Sequence, residues 1–253
     1  MDEATATALD EVNRRFYAAE AAEFSARRTR PWSGFEALLS LLPRPGDGAR
    51  PLRVLDAGCG NARLGHFLAE HAPGPIAYLG IDREPRMLDH ARARTAGLRA
   101  GFEAAFLVRD LVAEGLPPGA EQAFDLVCAF GLLHGIPAEA RRRRCLLELA
   151  RALAPGGRLA VAVWRFRAAP GFARRTVPFR ELVPRLGIRL SGPPEDGDHL
   201  LLFAGRALRY CHEVDDAELE RLTGDLGLRV LADFGGRGGD QNRYRVLCRD
   251  AAP

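Results

Sequence analysis

The chain is predicted to fold as a doubly wound α/β protein around a mostly parallel sheet of seven strands. Three observations lead there. Apolar runs of strand length alternate with helical segments from about residue 53 to residue 164, which implies right-handed crossovers between parallel strands. The first run, Val54-Leu55-Asp56-Ala57, passes directly into Gly58-Cys59-Gly60-Asn61-Ala62-Arg63. The chain then closes on two strand-like runs joined by Gly235-Gly236-Arg237-Gly238-Gly239, which read as an antiparallel hairpin.

The elements follow in order. Leu9, Val12, Phe16, Ala19 and Phe24 recur at helical spacing and predict a helix over 4–25. Pro31 ends it, and a short helix runs through Phe35 and Leu42. Pro43 to Pro51 is a Pro/Gly-rich connector. The core is predicted as strand 53–57, helix 62–71, strand 76–81, helix 85–96 and strand 104–109, the last ending in Asp110. Next come a strand from Phe124 to Phe130 and a helix over 138–153. That helix stops at Pro155-Gly156-Gly157, a turn that launches the fifth strand, Arg158 to Trp164. Residues 165–212 show no clean period and are too long for a routine loop, so they read as a functional insertion. A helix over 215–226, capped by Asp215 or Asp216, precedes the closing strands at 228–234 and 243–249. The chain therefore reads as one domain over 1–253, in four parts. These are N-terminal helices (1–50), a cofactor-binding core (51–164), a substrate-side insertion (165–212) and a closing helix and hairpin (213–253).

Composition narrows the function. The 253 residues are 47% hydrophobic, enough for a large buried core. No run reaches the ~20 apolar residues of a membrane span. The acidic start, Met1-Asp2-Glu3, has no apolar signal core, and the expected setting is cytoplasmic with no membrane partner. Five scattered cysteines form no C-x-x-C pair, which argues against a structural metal; no metal ligands are expected. All 36 basic residues are arginine, yet the net charge is only +3. Arginines cluster at 27–30, 141–144 and 165–189. Each cluster fits a solvated face; together on one surface they would make a nucleic-acid footprint.

The first loop points to a nucleoside. Its glycines let the backbone bend and bring amides against a ligand. The second strand ends in Asp82, where a carboxylate can accept from both ribose hydroxyls. A dinucleotide fingerprint needs a third glycine where this chain has Arg63. Asp56 stands two residues before the first glycine. That form, D-x-G-x-G, resembles motif I of the class I S-adenosylmethionine methyltransferases, whose sheet is Rossmann-like and closes on the same kind of hairpin. The resemblance implies S-adenosyl-L-methionine as cofactor and a methyl-transferring enzyme. Asp56, Gly58, Cys59 and Gly60 would then form the loop, with Asp82 on the ribose and Arg83 and Met87 as walls. Asp110 would accept from the adenine amino group while Leu111 packs on the ring; Phe130 would lie near the sulfonium. Asp110 also fits a helix cap, and Met87 fits the core.

A second likeness is wider. Asn13-Arg14-Arg15-Phe16-Tyr17, Phe24-Ser25-Ala26-Arg27-Arg28-Thr29-Arg30-Pro31-Trp32, Leu133-His134 and Ala162-Val163-Trp164 resemble the tRNA wobble-uridine carboxymethyl methyltransferases. So do Gly197-Asp198-His199-Leu200, Leu208-Arg209-Tyr210-Cys211-His212 and Asp240-Gln241-Asn242-Arg243-Tyr244. These are the fungal enzyme and the methyltransferase part of its animal AlkB-like counterpart. The likeness implies esterification of a carboxymethyl group on tRNA, and in eukaryotes a small activator subunit. It departs at His134-Gly135, where the family has two histidines, and over 165–196. A small-molecule acid as acceptor, with O- or N-methylation on the same fold, stays open.

A carboxylate acceptor is ionised at neutral pH and needs no base. Arg30 is the first candidate to grip it, or the cofactor's own carboxylate. His134 follows the fourth strand, where the acceptor approaches; it fits a donor, a base or a packing role. Tyr17 and Trp32 are expected to cover the cofactor, although core aromatics look alike in sequence. By the resemblance, Tyr210 and His212 face the substrate pocket, with Arg209 and Asn242 weaker candidates.

Overall fold

The structure is a computed structural model that describes residues 1–43 and 50–251. Most of the Pro43–Pro51 connector lies outside the described residues. The chain opens with α1 (Glu3–Ala26), whose Asp2 cap accepts from the Thr5 N–H, and α2 (Ser33–Ser40). The core runs β1 (Leu52–Ala57), α3 (Arg63–His71), β2 (Ile76–Asp82), α4 (Pro85–Thr95) and β3 (Phe102–Val108). It continues with α5 (Leu111–Glu114), β4 (Phe124–Phe130), a 3-10 turn at Leu133–Gly135, α6 (Glu139–Arg151) and β5 (Leu153–Trp164).

Helix α4 shows why the predicted starts were reliable. Glu84 caps it by accepting from the Arg86 N–H, and Pro85 at the first position has no N–H to lose. Strand periodicity places the core with equal economy. On β1 and β4, Val54, Leu126 and Cys128 pack on one face, while Leu55, Ala57, Val127 and Ala129 pack on the other. Both faces are covered, as a parallel sheet requires.

The fifth strand begins earlier than predicted. Pro155-Gly156-Gly157 lies inside β5 as a bulge: Phe124 pairs with Leu153, yet Leu126 pairs with Arg158. Gly156 takes φ +75°, which a residue with a Cβ rarely adopts. Helix α6 accordingly stops at Arg151.

The insertion holds α7 (Phe172–Arg175), β6 (Thr176–Val177), a 3-10 turn (Phe179–Glu181), α8 (Leu182–Leu186), β7 (Asp198–Phe203) and β8 (Ala207–His212). Strands β6, β7 and β8 form a separate antiparallel sheet. Their patterns hide them. β6 has two residues, β7 reads as an apolar run, and β8 buries polar side chains on both faces. Helix α1 lies across β8 and α4, so the first helix bridges the insertion and the core.

The chain ends with α9 (Asp216–Gly224), capped by Asp215, then β9 (Arg229–Gly235) and β10 (Asn242–Cys248). The main sheet has the order β3-β2-β1-β4-β5-β10-β9. All neighbours from β3 to β5 are parallel, and β10 is antiparallel to both β5 and β9. Strand order reverses between β1 and β4, which opens a crevice beyond their carboxyl ends. Among the described residues, no helix is long and apolar enough to cross a membrane.

Candidate functional site

A cavity of about 450 Å³ occupies that crevice. Its floor is the loop after β1. Gly58 and Gly60 take φ +68° and +55°. The Gly58 and Cys59 N–H groups both donate to the Ile81 carbonyl, at 2.8 and 3.0 Å. A Cβ on Gly58 would lie 2.9 Å from Leu132 Cδ1, so only glycine keeps this wall open. A Cβ on Gly60 would lie 3.4 Å from Met87 Cε. Met87 is buried against Phe16, Ala21 and Phe24 and also lines the cavity.

The acidic strand ends sit where expected. Asp82 accepts from the Gly60 N–H at Oδ2 and the Glu84 N–H at Oδ1, each at 2.9 Å. Each oxygen keeps lone-pair capacity toward the cavity, enough for a pair of hydroxyls. Burial raises the Asp82 carboxyl above its ordinary value. Asp56 is buried beneath the loop and accepts from Tyr78 Oη at 2.5 Å. Burial pushes its carboxyl up to about 7, against the Tyr78 hydrogen bond and with help from Asp82.

Asp110 lines the cavity, but its carboxylate is engaged. Oδ1 caps α5 by accepting from the Val112 and Ala113 N–H groups, and Oδ2 accepts from Arg14 Nη2 at 2.5 Å. The cap reading is therefore seen directly, and the carboxylate keeps one further acceptor site at the cavity wall. Arg83 is turned toward Asp10 at 2.5 Å and forms part of the same wall. Leu111, Phe130, Tyr17, Trp32 and Cys59 all line the cavity as predicted.

The cationic residues differ from expectation. Arg30 is exposed, does not line the cavity, and offers only its carbonyl, to Arg63. Arg28, Arg63 and Arg209 line it instead. Asn61 explains the exchange. Its Nδ2 donates to the Ser25 carbonyl and hydroxyl and to the Arg28 carbonyl, which pins the end of α1 onto the glycine loop. Arg28 then lies over the Phe24 ring at 3.3 Å, and burial together with Arg209 brings its guanidinium down to about 9. Arg63 lies over Trp32 at 4.7 Å and is brought down to about 10 by burial and Arg94. Arg209 sits among the rings of Phe16, Phe24 and Trp164, 5.2–5.8 Å from their centres. Among the described residues, none of the three has a carboxylate partner.

His134 is buried on the 3-10 turn after β4 and lines the cavity. Its Nε2 stands 3.3 Å from Arg209 Nη2. A guanidinium only donates, so Nε2 accepts and the ring proton sits on Nδ1. That Nδ1 is buried with no partner. Burial first, then Arg209 and Arg28, holds the imidazole well below its usual value, so it is neutral.

Tyr210 and His212 do not reach the cavity. Tyr210 Oη donates to Asp198 Oδ1 at 2.5 Å. His212 bridges Asp198 Oδ1 and Glu218 Oε2, each at 2.7 Å. Arg142, 1% exposed, continues the network to Glu218 and Glu195. Alternation along β8 is the cause: residues 210 and 212 face this buried network, and 209 faces the cavity. Asn13 fastens the strand to the site by accepting from the Tyr210 N–H and donating to the Gly135 carbonyl.

A parallel sheet with this strand order, a D-x-G-x-G floor and an acid at the end of β2 define a nucleoside-cofactor enzyme of the class I methyltransferase type. Comparison with known proteins agrees. Residues 54–157 match the family described as Methyltransferase domain. A chain of Encephalitozoon cuniculi that bears the name of a methyltransferase is 35% identical over 219 residues, 86% of this chain and 87% of that one. The trans-aconitate 2-methyltransferase of Methylobacterium nodulans is 38% identical over 144 residues, 57% of this chain and 48% of that protein. The tRNA (carboxymethyluridine(34)-5-O)-methyltransferase alkbh8 of Xenopus tropicalis is 32% identical over 144 residues, 57% of this chain but 19% of that protein. Among solved structures, the Haloferax volcanii chain in complex with the Trm112 methyltransferase activator superposes with a TM-score of 0.62. It is 18% identical, and the match covers 95% of this chain and 98% of that one. The chain belongs to the class I S-adenosylmethionine-dependent methyltransferases, and S-adenosyl-L-methionine is its cofactor. The residues present fit that group, with a glycine cradle that a Cβ would fill and a carboxylate with free acceptor sites at the end of β2.

Proposed function

We propose that this enzyme methylates a carboxylate, and that the carboxylate is the carboxymethyl group of a tRNA wobble uridine. The observation that supports this is the Arg209–His134 pair. His134 accepts from Arg209 and is neutral, so the imidazole is a donor and not a base. Three acids on the cavity wall are engaged by other side chains, Asp56 by Tyr78, Asp10 by Arg83 and Asp110 by Arg14, and the fourth, Asp82, is taken here for the ribose. An amine or phenol would need a base to remove its proton; a carboxylate, with pKa about 4, would not.

In this reading Asp82 holds the ribose, the glycine loop admits the backbone of the cofactor, and Tyr17 and Trp32 cover it. When bound, S-adenosyl-L-methionine would supply a methyl group on a positively charged sulfur, and that sulfur would keep the C–S bonding pair as the acceptor oxygen took the carbon. Arg209 orients the acceptor carboxylate, and the His134 Nδ1–H donates to the same group. No proton has to move. The caged, dry guanidinium is effective because its charge is fixed in advance. A cytoplasmic setting goes with this reading, as do five free cysteines.

Two relatives support a carboxylate by name, one for carboxymethyluridine in tRNA and one for trans-aconitate. The second keeps a small-molecule acid as the competing reading. The Haloferax neighbour makes a small activator subunit a candidate partner. The deciding experiment is incubation with methyl-labelled cofactor and either total RNA or a panel of small acids including trans-aconitate, followed by mass spectrometry. The expected product is the methyl ester of carboxymethyluridine in tRNA. Label confined to a small acid, or found on nitrogen, overturns the tRNA reading.

A further inference from the structure

Asn242 opens β10 and pairs in register with Trp164 at the end of β5. It is 8% exposed and lines both the main cavity and a shallower groove beside it. Trp32 and Trp164 line the same two spaces, so Asn242 and two indoles belong to the wall that joins them.

The orientation of that amide is fixed by its neighbour. Asn242 Nδ2 donates to Asp240 Oδ1 at 2.5 Å. The same carboxylate accepts from the Asn242 N–H, the Ser33 N–H and hydroxyl, and Tyr244 Oη. Rotating the amide would aim its oxygen at an acceptor-only group, so the oxygen must face the other way. Among the described residues that oxygen, Oδ1, is buried and has no donor. A buried acceptor held away from every protein donor takes its donor from a water or from a ligand group that displaces it.

The acceptor side of the cavity therefore offers two different demands. Arg209, 5.2 Å from the Trp164 ring centre, asks for an anion, and Asn242 on the same tryptophan's register asks for an N–H. The two indoles that line the same wall favour a flat ring carrying that N–H. We infer that Asn242 is a specificity-determining residue that reads a ring N–H on the methyl acceptor, such as the imide of a uracil-type base. This rests on the carboxymethyluridine reading above and names the part of that acceptor the site recognises. A purely aliphatic acid has the anion and lacks the N–H.

The test uses the wild-type protein first, with cofactor and two short RNAs. One carries carboxymethyluridine, and the other the same nucleoside methylated at its imide nitrogen. The expected kcat/KM is at least about 50-fold lower for the second, because a site built to pair with a donor rejects the analogue lacking it. In Asn242→Ala the first RNA should lose that advantage through KM, with the two RNAs within about threefold of each other. Cofactor affinity, measured by calorimetry, should stay near wild type and so report the fold. Equal turnover of the two RNAs by the wild type overturns this inference and leaves the proposed function standing. Transfer to neither RNA overturns both.

Discussion

Arg209 Nη2 donates to His134 Nε2 across 3.3 Å, with neither residue touching a carboxylate. This makes one unit of a fixed cation and a neutral donor. Arg209→Ala is expected to lower kcat/KM for a carboxylate acceptor by about 100-fold, as loss of a preorganised charge contact does. His134→Ala should cost about tenfold or more by removing the Nδ1–H. Cofactor Kd should change less than threefold in both variants, on the order of the effect of a distant contact. Arg30→Ala, on an exposed side chain, should leave turnover unchanged. Steady-state kinetics with calorimetry checks all three, and wild-type turnover in Arg209→Ala would sink the assignment.

The sheet could be read from the sequence because period-2 apolar patterns and capped helices are local signals. The glycine loop, Asp56 and Asp82 were found for the same reason: they sit at strand ends that the pattern already defines. The cationic side was not local. Arg28 and Arg30 are two residues apart after the end of α1, and the Arg28 backbone is held by Asn61, reaching across from the loop. On β8 the run Leu208-Arg209-Tyr210-Cys211-His212 has polar residues on both faces, so no apolar face tells which one meets the cavity. Asp110 offered both a cap and an adenine contact; the cap is made by Oδ1, which accepts from the Val112 and Ala113 N–H groups.

Cofactor binding should depend on pH through Asp56. In the free protein its carboxyl, raised to about 7 by burial, keeps its proton below that pH. The bound cofactor is cationic at its sulfonium and ammonium, which favours the ionised form. Binding therefore releases a proton below about 7, and affinity should fall as pH falls, by up to about tenfold per unit. Above pH 7 the dependence should flatten. Asp56→Asn should reduce the slope to what Asp82, also raised by burial, contributes. Calorimetry in buffers of different ionisation enthalpy measures the proton release; a flat wild-type profile between pH 5.5 and 7 contradicts the prediction.

The Asn61 amide should control the cofactor side through α1. Asn61→Ala removes three hydrogen bonds, to the Ser25 carbonyl, the Ser25 hydroxyl and the Arg28 carbonyl; the two carbonyls keep the Arg28 N–H and Arg94 Nη2 as donors, and the Ser25 hydroxyl loses its partner. A loss of about 1 kcal/mol is expected, the net worth of a hydrogen bond that is not replaced. Because the lost bonds join α1 to the loop, part of that loss should appear as weaker cofactor binding. Hydrogen exchange should show faster opening near residues 20–28, with the sheet unchanged. Uniform exchange across the chain would show that Asn61 holds no local latch.

The buried network behind β8 should govern stability rather than chemistry. His212 joins Asp198 on β7 to Glu218 on α9, and Arg142 on α6 completes the set. Burial alone would lower the His212 pKa, but the hydrogen bonds to Asp198 and Glu218 outweigh it and raise the value. A histidine raised on folding stabilises fully below its unfolded pKa of about 6.5 and loses that contribution as pH rises through its folded pKa. His212→Ala leaves two carboxylates facing a void and should cost about 3 kcal/mol near pH 6, in the range for breaking a buried pair. The cost should shrink at alkaline pH, where the wild type has also lost the proton. Tyr210→Phe removes one hydrogen bond to Asp198 and should cost about 1 kcal/mol. Denaturant unfolding of each variant at pH 6 and pH 9 measures the difference. A His212→Ala cost that grows with pH would mean that the imidazole is neutral in the folded protein and that the network is held by Arg142 alone.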